Sequence, residues 1–267
     1  MNPTPSVLRA AFIDLDGTLL GPDKTISPAN LAALRRLRAR GIETLIASGR
    51  NHVNIAPLAE QSGCSSWIVS SQGAMVKHAL TGQILTELTL PSALALEVHA
   101  WTQTRALSEI IYTRDGVFME KETEWTRRYA SHYGKLQRVP VASLALSGLQ
   151  KFLLSAAAAE IPGLEAELRQ AFGTRAHIVR SEQESVEILP AGVHKARGAQ
   201  AVADLLGIRP EEAVAFGDGN NDIELFQWAG ASVAMDHGWP DAKKAAGHVT
   251  PAGPPEEAFA RAVALLA

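Results

Sequence analysis

Short apolar runs that each end in a polar cluster are the feature that most constrains how this chain can fold. Such runs are typical of strands that are buried on both faces. Helical patterns separate them, and an alternation of strands and helices predicts a parallel sheet that is covered by helices. The runs that show this best are Leu8–Leu15, Ile42–Ala47, Trp67–Ser70, Ala213–Phe216 and Ser232–Met235.

The ends of the intervening helices are marked by their residue types. Ser27 can cap the free amides of a helix, and Gly41 is a typical residue at a helix C-terminus. His194–Leu206 has a helical pattern near the other end of the chain. We therefore predict one α/β domain, a Rossmann-like parallel-sheet core, formed by residues 1–82 and 187–267.

The middle of the chain has a different pattern. Apolar and polar residues alternate in Ser108–Tyr112, which is typical of an antiparallel strand with one face in water. Ser92–Thr102 and Glu165–Phe172 have helical patterns that would cover the other face. Residues 83–186 are therefore predicted to form an inserted α+β domain.

Composition excludes several classes of function. Lys and Arg number 25 and Asp and Glu 28, so the net charge of −3 gives no general attraction to nucleic acid or to anionic lipid. No apolar stretch approaches the ~18 residues of a membrane span, and Met1–Ala10 lacks the apolar core of a signal peptide. The single cysteine, Cys64, cannot form an internal disulfide. We expect a cytoplasmic monomer or small homo-oligomer whose partner is a small molecule.

The polar clusters stand at the carboxyl ends of the predicted strands, where open α/β sheets bind their ligands. We expect them to converge on one site that holds Asp14, Asp16, Asp218 and Asp222. Four carboxylates at one site repel one another, and a hard divalent cation such as Mg²⁺ resolves the repulsion. A cation site of this kind, with a lysine and hydroxyl donors, suits a phosphoryl group.

These clusters resemble the motifs of the haloacid-dehalogenase-like (HAD) phosphatases, and in detail those of the Cof-type (IIB) subfamily. The resemblance covers nearly the whole chain. The insert lies between the second and third motifs, where such proteins carry a C2-type cap domain. The four matching segments are Asp14-Leu15-Asp16-Gly17-Thr18-Leu19-Leu20, Ala47-Ser48-Gly49-Arg50, Leu189–Lys195 and Gly217–Asp222.

The resemblance implies a role for each motif residue. Asp14 would attack phosphorus and form an aspartyl-phosphate, and Asp16 would be the acid and then the base, with its backbone carbonyl on Mg²⁺. Arg50 is open between an ion pair and a ligand contact. The implied catalytic residues are Asp14, Asp16, Ser48 and Lys195, the substrate-binding residues are Leu15, Gly49, Arg50 and Asn221, and the metal-binding residues are Asp14, Asp16, Asp218 and Asp222.

We therefore expect a Mg²⁺-dependent phosphatase that acts on a small phosphorylated metabolite. A sugar phosphate is the leading candidate, and FMN or pyridoxal phosphate comes next. Two alternatives remain: a phosphomutase on the same scaffold, and a non-catalytic protein that binds a phosphometabolite. The chain departs from the subfamily pattern at Gln72, Ala196 and Asp236–Gly238, and we regard Gln72 and His237 as candidates for substrate contact.

Overall fold

Strands and helices alternate at both ends of the chain, with a second group of strands between them. The computed structural model describes residues 7–105, 107–134, 136–145 and 148–266, so most of Met1–Ala10, predicted to carry no signal peptide, lies outside the described residues. Over these ranges the strands are β1 (Ala10–Ile13), β2 (Glu43–Ala47), β3 (Trp67–Ser70), β4 (Met75–His78), β5 (Ile84–Glu87), β6 (Ser108–Thr113), β7 (Gly116–Met119), β8 (Gln137–Arg138), β9 (Leu149–Ser155), β10 (Ala176–Glu182), β11 (Ser185–Pro190), β12 (Ala213–Gly217), β13 (Ala231–Ala234) and β14 (His248–Val249). The helices are α1 (Pro28–Ala39), α2 (His52–Ser62), α3 (Ser92–Gln103), α4 (Glu124–Tyr133), α5 (Val141–Ala145), α6 (Ile161–Phe172), α7 (Lys195–Leu206), α8 (Ile223–Trp228), α9 (Pro240–Ala245) and α10 (Ala258–Ala264).

The first sheet has the strand order β14-β13-β12-β1-β2-β3-β4-β5. Its strands from β14 to β3 pair in parallel, whereas β4 and β5 run antiparallel at one edge. Both faces are buried, since Ala11 and Ile13 of β1 pack into one apolar cluster and Ala10 and Phe12 into another. The predicted α/β fold is thus present, and the antiparallel edge is an addition to it.

The second sheet has the order β10-β11-β9-β6-β7-β8 and is antiparallel except between β7 and β8. Helices α3, α5 and α6 bury one of its faces through residues such as Val98, Val141 and Leu168. Ile110 and Leu153 lie in the smaller cluster on the other face. This sheet and its helices form the inserted cap domain.

Sheet membership places the limits of the cap slightly later than predicted at both ends. Strand β5 belongs to the first sheet, although residues 83–186 were predicted as the insert. Strand β11 belongs entirely to the second sheet. The hydropathy pattern of the sequence does not indicate either limit of the cap. Strand β5 is a half-buried edge strand, whereas β11 is buried throughout and resembles a strand of the core. We propose a cap of about residues 88–190. No helix in the described part of the chain is long and apolar enough to cross a membrane.

Candidate active site

The central strands of the first sheet deliver the predicted residues to one edge. Ser48 follows β2, Asp218 follows β12, and Asp14 follows β1. The amide of Asp14 donates to the carbonyl oxygen of Phe216 at 2.9 Å, which continues the β1–β12 ladder into the site. The parallel register therefore places these side chains next to one another, as expected from the strand ends.

Lys195 stands at the centre of the acidic residues. Its Nζ donates to Oδ1 of Asp14 and to Oδ1 of Asp222, at 2.6 Å in each case, and its side chain is fully buried. Burial alone would lower the pKa of Lys195, but the two carboxylates outweigh it and the pKa is raised. The lysine is therefore held in its charged form in the first turn of α7.

Asp14, Asp218 and Asp222 offer oxygen atoms that lie within 4.8 Å of one another. Burial, together with repulsion from Asp222, raises the pKa of Asp14 to about 7 despite the opposing charge of Lys195. Burial and the charge of Asp14 also raise the pKa of Asp218 well above its usual range. One lysine thus does not balance three carboxylates, and a site of oxygen donors with excess negative charge fits a hard divalent cation.

The three carboxylates are not equivalent. Oδ2 of Asp222 accepts from the amides of Asp218 at 3.1 Å and Gly219 at 3.0 Å, while Oδ1 accepts from Lys195, so Asp222 orients the loop. Asp218 accepts from the hydroxyl of Thr18 at 3.3 Å. Gly17 has a left-handed backbone (φ +78°), and a Cβ there would lie 2.5 Å from Asp218 Oδ2, so only glycine allows this approach.

The carboxylate of Asp16 is held by two cationic side chains. Arg50 donates to both of its carboxylate oxygens at 2.7 Å, and Lys24 donates to Oδ1 at 2.7 Å. Burial would raise the pKa of Asp16, but Arg50 and Lys24 outweigh it and the pKa is lowered. Its carboxyl is therefore ionised in this arrangement, so it must take up a proton before it can act as the acid, and the side chain lies outside the group formed by Asp14, Asp218 and Asp222.

Besides the charge of Arg50, the turn after β2 provides a hydroxyl donor. The amide of Arg50 donates to Ser48 Oγ at 3.2 Å, which leaves the hydroxyl proton of Ser48 available for an anion. A Cβ at Gly49 would lie 2.6 Å from Nε2 of Gln72, so a larger residue at this position would displace the Gln72 side chain. The side chain of Leu15 is fully buried in the apolar core, which leaves only its main chain for substrate contact.

The cap closes over these residues with a wall that no motif predicted. An inner cavity of about 80 Å³ lies between Asp14 and the second sheet. Arg50 lies 4.8 Å from the ring centroid of Tyr133, so this cap tyrosine covers the arginine. Charged residues inside otherwise apolar strands, Lys151 in β9 and Glu187 in β11, are the sequence signals for this wall. The cap residues that line the cavity are Tyr112, Tyr129, Tyr133, Lys151, Leu153, Glu182 and Glu187.

Gln72 contacts both domains. Its Nε2 donates to Oε1 of Glu187 in the cap at 3.1 Å, and its Oε1 accepts from Nδ2 of Asn221 at 3.1 Å. Gln72 thus lines the cavity, as suspected. His237 is close but peripheral, since its Nε2 is 2.8 Å from the carbonyl oxygen of Gly17.

A wider cleft adjoins the inner cavity. Its volume is about 440 Å³, and it shares Asp16, Tyr129 and Tyr133 with the inner cavity. Trp125 and Trp239 supply aromatic surface to this cleft. A phosphoryl group at Asp14 would therefore place the rest of a substrate between the inner cavity and this cleft.

The fold and the site define an α/β enzyme with a capped, strongly acidic centre, and comparison with known proteins gives its family. The family model of the haloacid dehalogenase-like hydrolases matches residues 11–261. The HMP-PP phosphatase of Escherichia coli O157:H7 (strain EC4115 / EHEC) is 29% identical over 243 residues, which are 90% of this chain and 89% of that protein.

Solved structures agree with this assignment. A haloacid dehalogenase-like hydrolase from Bacteroides thetaiotaomicron is 26% identical, with a TM-score of 0.83 over 97% of this chain and 100% of that chain. A subclass IIB sugar phosphatase shares the fold with a TM-score of 0.85 at 21% identity, over 97% of this chain and 98% of that one. The chain belongs to the haloacid dehalogenase-like hydrolases. The predictions of this family, of an α/β core with an inserted cap and of a hydrolytic enzyme of the phosphatase type are confirmed.

Proposed function

We propose that the chain is a Mg²⁺-dependent phosphatase that hydrolyses a small phosphorylated metabolite through an aspartyl-phosphate on Asp14. The observation that carries the proposal is the contact of one buried lysine with two carboxylates at the strand ends, next to Asp218 and Ser48. A sugar phosphate is the first substrate to test, and FMN and pyridoxal phosphate come next. HMP-PP joins the panel because a relative is named for it.

Asp14 and Asp218 are the side chains that would hold Mg²⁺, with Asp222 behind them and the backbone carbonyl of Asp16 as a further donor. Their oxygen-only donor set and their uncompensated charge fit this ion. When bound, Mg²⁺ neutralises charge that develops on the phosphoryl oxygens.

Asp14 provides the attacking group. A carboxylate needs no separate base to activate it, so its oxygen can form a bond to phosphorus while the bond to the leaving oxygen breaks. Lys195 steadies the carboxylate in position, and the hydroxyl of Ser48 donates to a phosphoryl oxygen. These are preorganised donors of the kind that lower the barrier to phosphoryl transfer.

Asp16 moves the proton in both steps. A dianionic phosphoryl group at this site adds negative charge near Asp16 and competes for Arg50 and Lys24, and both effects favour the protonated acid. Asp16 takes this proton from solvent as the ester binds and passes it to the leaving oxygen as the bond to phosphorus breaks. The ionised carboxyl, which Arg50 and Lys24 stabilise, then takes a proton from the water that attacks phosphorus, and this frees Asp14 and releases phosphate.

The test is phosphate release from the panel of esters, with Mg²⁺ and after removal of divalent ions by EDTA. We expect hydrolysis of at least one ester, its loss in EDTA, and its recovery when Mg²⁺ is restored. Ca²⁺ should replace Mg²⁺ poorly because its coordination is looser. Full turnover in metal-free buffer would contradict the metal assignment. A rearranged phosphorylated product without free phosphate would indicate a phosphomutase, and binding without any turnover would indicate a non-catalytic protein.

A further inference from the structure

Lys151 is a buried charged residue for which the proposed chemistry has no use. It lies in β9, a strand whose seven residues are all buried, and its side chain is 2% exposed. Its Nζ leaves the cap and donates to the carbonyl oxygen of Gly49 at 2.8 Å. The contact therefore joins the cap to the turn that carries Ser48.

The ammonium of Lys151 also has neighbours within the cap. Besides Gly49, Oε2 of Glu187 lies at 3.0 Å and the ring centroid of Tyr112 at 4.2 Å. Glu187 is itself held by Gln72. The lysine lines the inner cavity, and its ammonium lies between the carboxylate of Glu187 in the cap and the carbonyl oxygen of Gly49 in the core.

The backbone of Gln72, which holds Glu187, adds to the free-energy cost of this arrangement. Its φ of 59° lies in the left-handed region, which a residue with a Cβ adopts at a cost. Burial of an ammonium is costly as well unless its partners compensate it. An apolar side chain would fill the space of Lys151 more cheaply, so the charge indicates a purpose other than packing.

The peptide bond between Gly49 and Arg50 links Lys151 to the proposed phosphoryl-binding hydroxyl. Its carbonyl accepts from Lys151, and its N–H donates to Ser48 Oγ at 3.2 Å. A cation on the carbonyl polarises the peptide and strengthens its N–H as a donor. The Oγ lone pair of Ser48 is thereby occupied, and its proton is directed to a phosphoryl oxygen.

We propose that Lys151 is a positioning residue that acts through the carbonyl of Gly49, so that closure of the cap completes the phosphoryl-binding turn. This inference rests on the proposed phosphatase function. It predicts that loss of the ammonium weakens binding of the phosphoryl group itself, whatever leaving group is attached. A cap residue that recognises the leaving group would instead discriminate among substrates.

The experiment compares wild type with Lys151→Met. We expect kcat/KM to fall by about tenfold or more for both p-nitrophenyl phosphate and the best metabolite ester, the size of one charge-assisted hydrogen bond. Inhibition by orthovanadate, a phosphoryl analogue, should weaken by a similar factor. Lys151→Arg should recover part of both losses because it restores a cationic donor. Lys121→Met is the matched control, since Lys121 is an exposed cap lysine that contacts Gln103, and it should behave as wild type.

Each of the following results would overturn the inference. A loss for one ester only would make Lys151 a contact for the leaving group. If Lys151→Met has unchanged kinetics and vanadate inhibition but a lower Tm, Lys151 only stabilises the fold. If Lys151→Met fails to fold, Lys151→Arg is compared with Lys151→Gln instead. Equal kcat/KM and equal vanadate inhibition in these two variants would overturn the inference. If wild type releases no phosphate from any ester, the proposed function fails instead. Calorimetric binding of inorganic phosphate with Mg²⁺ then still decides the inference, because equal affinities of wild type and Lys151→Met contradict it.

Discussion

The two walls of the inner cavity are built from different kinds of residue. The core wall contains Asp14 and Asp218, which follow strands, and Lys195 lies buried behind Asp14 at the start of α7. The cap wall combines side chains that project from one face of the second sheet, such as Tyr112 and Leu153, with Tyr129 and Tyr133 from helix α4. Under the proposed function, the core wall would carry the phosphoryl chemistry and the aromatic side chains of the cap wall would contact the leaving group.

The largest expected effect lies on the core wall, at the nucleophile. Asp14→Asn keeps the shape of the side chain but removes its nucleophilic oxygen, so phosphate release should fall by about 10⁴-fold or more. Because one negative charge leaves a crowded group, Tm should stay unchanged or rise slightly. Asp23→Asn, in an exposed turn, is the control for loss of an aspartate. Activity within tenfold of wild type would place the nucleophile elsewhere.

Asp16 gives the next largest effect and separates chemistry from binding. A sugar alkoxide needs a proton to leave, whereas p-nitrophenolate does not. Asp16→Asn should therefore reduce kcat/KM for a sugar phosphate by about 10²-fold more than for p-nitrophenyl phosphate, the usual scale of one acid–base contribution. Measurement of both substrates on both proteins checks this. An equal loss for the two esters would remove the acid role from Asp16 and leave the phosphatase proposal intact.

On the cap wall we expect a smaller and more selective effect. Tyr133 lies over Arg50 and lines both the inner cavity and the outer cleft. Tyr133→Ala should raise KM for metabolite esters by about tenfold, the upper scale of a cation–π contact, and should change p-nitrophenyl phosphate less. Tyr133→Phe keeps the ring and loses only the bond from its hydroxyl to Glu182. If Phe and Ala at this position behave alike, the ring has no part in the selection.

The last effect concerns the stability of the core domain and not catalysis. Burial, with the nearby charge of Lys77, lowers the pKa of His52 from 6.5 to about 4. Between these values the unfolded chain binds a proton that the folded chain does not, so stability falls as pH falls from 6.5 to 4, by at most about 3 kcal/mol. His52→Leu should flatten this part of a plot of Tm against pH. The control is His132→Leu, which changes an exposed histidine of the cap and should leave the dependence of Tm on pH as in wild type. Equal slopes for wild type and His52→Leu would contradict the role given to His52.

The same comparison explains what could be predicted from sequence. Asp14, Ser48 and Asp218 each follow a strand that is apolar on both faces, so their convergence follows from the order of strands and helices. Lys195 was predicted from the family resemblance alone, because a single lysine at the start of a helix does not by itself indicate a catalytic role.

The cap wall was not predictable in this way. Lys151 and Glu187 meet only because β9 and β11 pair in the observed register, and a single sequence does not contain that register. Gln72 was singled out as a departure from the family pattern, but its contact with Glu187 depends on a left-handed backbone at a residue that rarely adopts one. The ionised state of Asp16 was missed for a similar reason, because Lys24 and Arg50 converge on it from different loops.

The central claim is that Asp14 carries the phosphoryl group during turnover, and it can be measured directly. Asp16→Asn should slow the water step more than the first step when the leaving group is activated. We would therefore mix this variant with a ³²P-labelled activated phosphoester and Mg²⁺, quench in acid and map the label. We predict label on the peptide that contains Asp14 and none in the Asp14→Asn, Asp16→Asn double variant. Steady release of phosphate with no labelled peptide, or label on another residue, would contradict the account.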